Sequence, residues 1–532
     1  MKITPITLSS DQSLYEQVAD RLQKPILEGT LKPGDRLPSI RKLREQLSVS
    51  TSTVLEAYRL LEDRGFIVPR PQSGYYVKQT ALNLPREPSE TSPPQEASPI
   101  DISLAFQVME RIRDSDTIQL GAAIPAIEHL PLAKLNRLMS KMLRENSVLA
   151  HSYGSALGCL SLRSELAKRM LDAGCSVHPD RITITNGAME AIYLALQAIT
   201  QPGDTIAIES PTYFGILEAM KTLQLNALAL PTHPREGISL SHLKESLQKR
   251  QIKACLIIAN FNNPIGSCMD DAKKKQLVEL LNEYDIPLIE DDVYGEIYFS
   301  GSRPKAIKAF DTEHRIIYCS SVSKILSPGL RIGWCAGGRY GDRIARVKAI
   351  INQSTSIPPQ LAVAEFLANG GCDRHLRQLR HAYQSQMNRI LQAICDYFPT
   401  ETRVTQPNGG HVLWLEMPAG FDSLQLYHQA LAHKISIAPG VMFSVSGKYY
   451  QNCFRLNTAI AWSPAIDRAM QTLGQLAKQQ LEITMLSRSP SASICGIVPN
   501  SFTLGFREKF PNTIVGKWQD RLEIAEKSLR IS

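Results

Sequence analysis

No two of the ten cysteines stand at a Cys-x-x-Cys spacing, and they are scattered singly along the chain. This argues against a metal site and against a disulfide framework, so no metal is expected. No apolar run approaches the about eighteen residues of a membrane span. The opening Met1-Lys2-Ile3-Thr4-Pro5 has no apolar leader core. The expectation is a cytoplasmic protein without a membrane partner. An excess of one charge is scarce too: 59 Lys+Arg against 51 Asp+Glu leaves +8, which hints at an anionic partner and no more. What is present is ordinary, with 43% apolar and 21% charged residues over 532 positions. That is enough chain for roughly two to four domains.

In residues 1–80, Leu14, Val18, Leu22 and Ile26 recur every four positions, the stripe of an amphipathic helix that ends at Gly29 and contains Pro25. After Lys32-Pro33-Gly34-Asp35, a second helix opens at Pro38-Ser39 and turns Ile40, Leu43 and Leu47 inward. The short turn Ser48-Val49-Ser50 leads to a third helix with the face Val54, Tyr58 and Leu61, stopping at Gly65. Phe66-Ile67-Val68 and Tyr75-Tyr76-Val77 flank Gln72-Ser73-Gly74 as a hairpin. Three helices and a wing make a winged helix-turn-helix. Its third helix would enter a major groove by the end carrying Ser50, Thr51, Ser52 and Thr53. Arg36 and Arg41 could add phosphate or guanine contacts, and Gly74 lets the wing approach a minor groove. The plainer reading of the hydroxyl run is a helix cap.

The stretch Arg36-Leu37-Pro38-Ser39-Ile40-Arg41-Lys42-Leu43, then Val49-Ser50-x-x-Thr53-Val54 and Tyr58-x-x-Leu61-x-x-x-Gly65, resembles the DNA-binding domain of the GntR family over residues 12–78. The resemblance implies double-stranded operator DNA as partner, with contacts from the residues above and Ser39. Thr51 and Leu55 stand where such proteins often carry a basic residue.

Residues 79–100 hold Pro85, Pro88, Pro93, Pro94 and Pro99 among Glu, Ser, Thr and Gln. That composition reads as an extended tether that lets the flanking domains move independently, with a linker assigned to 81–114. Beyond it, β-branched apolar runs alternate with helical patterns at 181–185, 205–208, 254–258, 286–289 and 315–318. The alternation predicts an α/β domain with a mostly parallel sheet, whose ligands gather at the carboxyl ends of its strands.

Polar residues follow each run. The first leads to Asn186-Gly187-Ala188-Met189, whose backbone N–H groups at a helix start suit a phosphate. Next come Tyr213, a flat face for a ring, then Asn262-Asn263-Pro264-Ile265-Gly266, then Glu290-Asp291-Asp292-Val293-Tyr294. The last run leads into Ser320-Ser321-Val322-Ser323-Lys324, with Arg331 seven residues on. Each alone has a dull alternative: a core tyrosine, a common turn, a solvated acidic loop, an exposed lysine. In order along strand ends they suit pyridoxal 5′-phosphate. Lys324 would form the Schiff base, needing an unprotonated amine that Arg331 could favour. Arg331, Ser321 and Ser323 would grip the phosphate, Asp291 would hold the ring nitrogen, Tyr294 and Asn263 the phenolic oxygen, and Tyr213 one ring face.

This series, with Tyr153-Gly154 and with Arg455 in Cys453-Phe454-Arg455-Leu456-Asn457, resembles fold-type I class I aminotransferases over about 115–480. The resemblance implies a small α+β subdomain around 115–150 and 370–480, a homodimer in which Tyr153 reaches a phosphate across the interface, and Arg455 as clamp for a substrate or effector carboxylate. Ile265 stands where Thr is usual. The domains expected are 1–80, 115–482, and a tail 483–532 with a helical look over 518–531. A GntR-like domain on an aminotransferase-like one resembles the MocR subfamily of bacterial regulators. It implies a PLP-binding regulator that senses PLP or an amino-acid or amine effector, in preference to turnover. The alternatives are a working aminotransferase with an appended DNA-binding domain, and a DNA-binding protein whose rear domain only dimerises.

Overall fold

The computed structural model describes residues 13–27, 30–32, 34–63, 66–70, 73–77, 84–94, 96–101, 108 and 116–488. Helices α1 (Leu14–Leu27), α2 (Ile40–Leu47) and α3 (Thr51–Asp63) are followed by strands β1 (Ile67–Arg70) and β2 (Gly74–Val77). Their core is Val18, Leu22, Leu43, Leu47, Val54, Tyr58 and Leu61, the stripes the periodicity predicts. Pro25 lies inside α1. Ser48 turns the chain between α2 and α3 in the left-handed region, and Tyr58 donates its hydroxyl hydrogen to the Pro38 carbonyl. The wing pairs antiparallel, Ile67 opposite Val77, and gains an edge at Arg36, which bridges Tyr76. The expected helix ends at Gly29 and Gly65 lie outside the described residues.

Strand β3 (Ile118–Gln119) pairs with Ile435–Ser436, and the main sheet of the large domain has eight strands: β4 (Ile182–Thr185), β5 (Thr205–Ser210), β6 (Asn226–His233), β7 (Gly237–Ile238), β8 (Ala254–Ile257), β9 (Leu288–Asp291), β10 (Ile316–Ser321) and β11 (Gly333–Ala336). Their order is β4-β11-β10-β9-β8-β5-β6-β7. The run β10-β9-β8-β5-β6 is parallel, while β11 runs antiparallel to both neighbours. These strands are buried almost throughout, as continuous apolar runs require when helices cover both faces. β5 and β10 run on beyond expectation, to Ser210 and Ser321, and β9 is displaced by two residues. β9 starts at Leu288, after Pro287, and runs on through Glu290 to Asp291, because proline has no N–H to give the ladder.

A smaller antiparallel sheet joins Arg403–Val404, Val412–Glu416, Cys453–Asn457 and Ala438–Pro439 in that order. With the helices Gly371–Tyr397 and Ser423–Ala432 it forms a second core that takes in Ile265. Among the described residues no helix is long and apolar enough to cross a membrane, and no cluster of residues suits a metal ion. Of Glu482–Ser532, a unit of its own, the closing turns of the helix Pro464–Arg488 are described. The expected helical stretch at 518–531 lies outside the described residues.

The proline-rich segment is not the free tether its composition predicts. Between Leu84 and Asp101, Pro88, Pro93 and Ile100 are buried. Ser98 and Ala227 exchange backbone hydrogen bonds of 3.0 and 3.1 Å, and Asp101 N donates to Val445 O at 2.8 Å. Proline stiffens this segment, and its few hydroxyl and carboxylate groups find partners on the large domain.

Candidate functional site

The loops at the carboxyl ends of β4, β5, β8, β9 and β10 supply the residues singled out in the sequence. After β4 the chain enters the helix Ala188–Ile199 at Gly187, where φ is +85°. A Cβ added there would lie 2.4 Å from Nη2 of Arg331. Glycine therefore leaves room for a guanidinium across the helix start. Arg331 donates from Nη2 to the Asn186 carbonyl at 2.9 Å and from Nη1 to the Pro328 carbonyl at 3.2 Å. The N–H groups that open the helix, at Ala188 and Met189, and this guanidinium form a cradle for an anion. Ser321 ends β10, and its Oγ accepts from Ser323 N at 3.3 Å.

Asp291 ends β9 and is 4% exposed. Its Oδ1 has no hydrogen-bond partner among the described residues. Burial, and then the like charge of Asp292, push its carboxyl from 3.8 up to about 7. The flanking acids are buried rather than solvated, and both are satisfied. Glu290 accepts from Ile307 N at 2.7 Å and Lys308 N at 3.0 Å. Asp292 accepts from Arg303 Nη2 at 2.6 Å, Tyr318 Oη at 2.9 Å and Asn260 Nδ2 at 2.9 Å. Of the three acids, only Asp291 is left with an oxygen to offer.

Lys324 donates from Nζ to the Ala123 carbonyl at 2.7 Å. Burial, then Arg455 and Arg331 against the pull of Asp291, bring its ammonium from 10.5 down to about 8. The sequence pointed to Arg331 as the cation responsible, but Arg455 weighs more. Asn263 joins two groups: its Nδ2 donates to Tyr294 Oη at 3.1 Å, and its Oδ1 accepts from Arg455 Nη1 at 2.8 Å. Arg455 is 2% exposed and donates also to the Gly121 carbonyl. Its Nε is unpartnered and no carboxylate pairs with it among the described residues. Burial brings it from 12.5 down to about 10. Tyr213 follows β5; a Cβ on Gly215 would lie 2.6 Å from its ring, so that glycine lets the ring lie back over the helix start.

Tyr153 is not brought to these residues: it is 88% exposed, beside Gly154, which packs on Ile357. His411 was not singled out as a site residue, yet it is fully buried with its ring 5.3 Å from that of Tyr294. Asn457 donates from Nδ2 to Ile124 O at 2.9 Å and accepts at Oδ1 from Ala459 N at 3.0 Å. Its Oδ1 must then accept from His411 Nδ1, 3.1 Å away, which leaves Nε2 an acceptor without a partner among the described residues. Burial, and then Lys324, bring this imidazole down to about 3, so it stays neutral.

In the winged helix, the hydroxyl run is a cap. Ser50 Oγ accepts from Thr53 N at 3.1 Å and lies 2.7 Å from Ser52 Oγ and 2.8 Å from Thr53 Oγ1. Ser39 Oγ likewise accepts from Lys42 N at the start of α2. Both serines and Thr51 remain exposed. Arg41 is exposed and pairs with Glu45 at 3.2 Å. Arg36 stands beside the wing, its Nε 3.6 Å from where a Cβ on Gly74 would lie.

Residues 116–473 match the family model "Aminotransferase class I and II", and residues 14–77 match "Bacterial regulatory proteins, gntR family". The uncharacterized HTH-type transcriptional regulator YdcR of Escherichia coli is 40% identical over 467 residues, covering 88% of this chain and 99% of the relative. YjiR of the same organism, named in the same way, is 36% identical over 88% and 99%. Among solved structures, kynurenine aminotransferase of Pyrococcus horikoshii matches at 28% identity and TM-score 0.67, over 72% of this chain and 96% of that one. LysN, the alpha-aminoadipate aminotransferase of Thermus thermophilus, matches at 26% and 0.66, over 72% and 100%.

Proposed function

The chain belongs to the MocR subfamily of GntR-family regulators, a winged helix joined to a class I and II aminotransferase domain, and from that premise we propose a transcription regulator that holds pyridoxal 5′-phosphate at Lys324. It would bind operator DNA through the winged helix and sense PLP itself or an amino-acid or amine effector. The observation that carries this reading is the partnerless Oδ1 of buried Asp291. A buried carboxyl oxygen left without a partner is costly unless a cation or donor meets it, and a protonated ring nitrogen is such a donor.

The residues fit the cofactor. Bound there, it would supply an aldehyde open to an amine and an electron-poor ring. The cradle at Gly187, Ala188 and Met189, with Arg331, Ser321 and Ser323, would hold its phosphate, and glycine at 187 is what admits the guanidinium. Asp291 would keep a proton on the ring nitrogen. Tyr294 and Asn263 would offer hydrogen bonds to the phenolic oxygen, and Tyr213 would cover a ring face. Lys324, lowered to about 8, is an amine often enough near neutral pH to attack. Arg455, buried without a carboxylate, is ready to bind that of an amino acid.

Regulation needs only that ligand favour one conformation over another. Turnover remains the second reading, because Lys324, Asp291 and Arg455 are all in place for it. Tyr153, exposed in one protomer, suits a homodimer in which it reaches its partner's phosphate. Such a role belongs in the cytoplasm. The test is borohydride reduction of the PLP-loaded protein followed by peptide mass mapping. The adduct is expected on Lys324 and absent in Lys324→Ala; an adduct that persists in that variant refutes the assignment.

A further inference from the structure

The segment 84–94 is anchored at two places, and each anchor leads, directly or through one neighbour, to a loop that carries a site residue. Thr91 Oγ1 donates to the Ser210 carbonyl at 2.6 Å and accepts from Thr232 N at 2.9 Å, while Thr91 N donates to Thr232 O at 3.2 Å. Ser210 ends β5, and three residues later stands Tyr213. Ser210 is held from the far side as well, its Oγ 2.6 Å from Tyr450 Oη. Thr212 N donates to the Phe443 carbonyl at 3.1 Å, and the guanidinium of Arg455 lies 4.9 Å from the Phe443 ring. The first anchor thus bears on Tyr213 through Ser210, and on Arg455 through the same loop and Phe443.

The second anchor is Pro85 and Glu87. Gln406 Nε2 donates to Pro85 O at 3.1 Å, and Gln406 N donates to Glu87 Oε1 at 3.0 Å. Glu87 also pairs with Arg235. Next to Gln406, Pro407 packs on Gly266 so closely that a Cβ there would lie 2.7 Å away. Gly266 closes the turn of Asn263, with its N bonded to the Asn262 carbonyl at 2.6 Å. Asn263 in turn bridges Tyr294 and Arg455.

We infer that the segment 84–101 is the read-out of the site: ligand moves the Tyr213 and Asn263 loops, and Thr91 and Glu87 pass that change to the chain leading to the winged helix. This rests on the reading that PLP binds at Lys324. Its physical basis is that packed loops and hydrogen-bonded clamps have discrete arrangements, which both ends can bias. A free tether of the same composition could carry no such signal.

Amide hydrogen exchange on the full chain, with and without PLP, tests it, and the visible absorbance of bound PLP is recorded on the same samples. In the wild type, exchange across 84–101 should change about tenfold on loading, within the usual range of site-to-site coupling. Thr91→Val, which keeps shape but loses the hydroxyl, should bind PLP with the same absorbance while exchange at 84–101 no longer responds. Glu87→Gln should weaken the response in part. Absorbance that appears while wild-type exchange at 84–101 stays unchanged overturns the relay and leaves the PLP reading standing. No absorbance removes the PLP reading and the relay with it.

Discussion

Arg455 and Asn263 meet at 2.8 Å through Nη1 and Oδ1, so a buried cation is held by a neutral amide where an ion-pair partner would ordinarily stand. The guanidinium is oriented but not neutralised. It carries the cost of burial until a ligand carboxylate arrives.

Arg455→Met should therefore separate binding from stability. Affinity for α-amino acids, read from their effect on the PLP absorbance, should fall about hundredfold with the loss of roughly 3 kcal/mol of charge-assisted hydrogen bonding. The melting temperature of the ligand-free protein should hold or rise, because an unpaired buried charge is gone. Retained amino-acid affinity would place the carboxylate elsewhere.

Asp291 makes a pH prediction. Its folded value, about 7, lies above the ordinary 3.8, so between these the native state binds more protons than the unfolded one. Wild-type stability without cofactor should fall as pH rises from about 4 to 7 on this account. Asp291→Asn should lack that loss and be the more stable protein at pH 8, by roughly 2 to 4 kcal/mol, with the gap shrinking toward pH 4. It should bind PLP less well. Denaturant melts at the two pH values measure the gap, and a gap independent of pH contradicts the assignment.

Gly187→Ala should damage the anion cradle on two counts. Its φ of +85° strains any Cβ by about 1 to 2 kcal/mol, and that Cβ would displace Arg331. PLP titration should show affinity reduced at least about tenfold, and phosphate should lose its ability to compete.

In the winged helix, two nearby substitutions should act differently. Ser50→Ala removes a cap and should cost about 1 kcal/mol of stability. Arg41→Ala should leave stability nearly unchanged, since its pair with Glu45 is exposed. It should instead lower DNA affinity and reduce the slope of log K against log salt by about one. Melts and salt-series binding separate the two.

The site was legible in the sequence wherever a polar residue ends an apolar strand. Asp291, Lys324, Asn263 and Gly187 each follow such a run, and strand ends gather on one rim. The carbonyls of Gly121 and Ala123, which hold Arg455 and Lys324, leave no trace in side-chain identity. His411 was hidden because its tautomer is set by Asn457, 46 positions away. The segment 84–101 misled for a related reason. Its composition describes a chain in water, whereas Thr91 and Glu87 have partners 119 to 319 positions distant. The paired strand ends that receive Thr91, at Ser210 of β5 and Thr232 of β6, come together only once the two strands lie side by side. In the winged helix the reverse held, because contacts there are short-range and helix periodicity sufficed.

Whether PLP at Lys324 governs DNA binding is decided by binding of the full chain to DNA upstream of its own gene, with and without PLP, at several salt concentrations. Specific binding that shifts with PLP in the wild type and does not shift in Lys324→Ala is the predicted result. Weak, steeply salt-dependent binding to any DNA, indifferent to PLP, would contradict it and turn attention to amino-acid turnover.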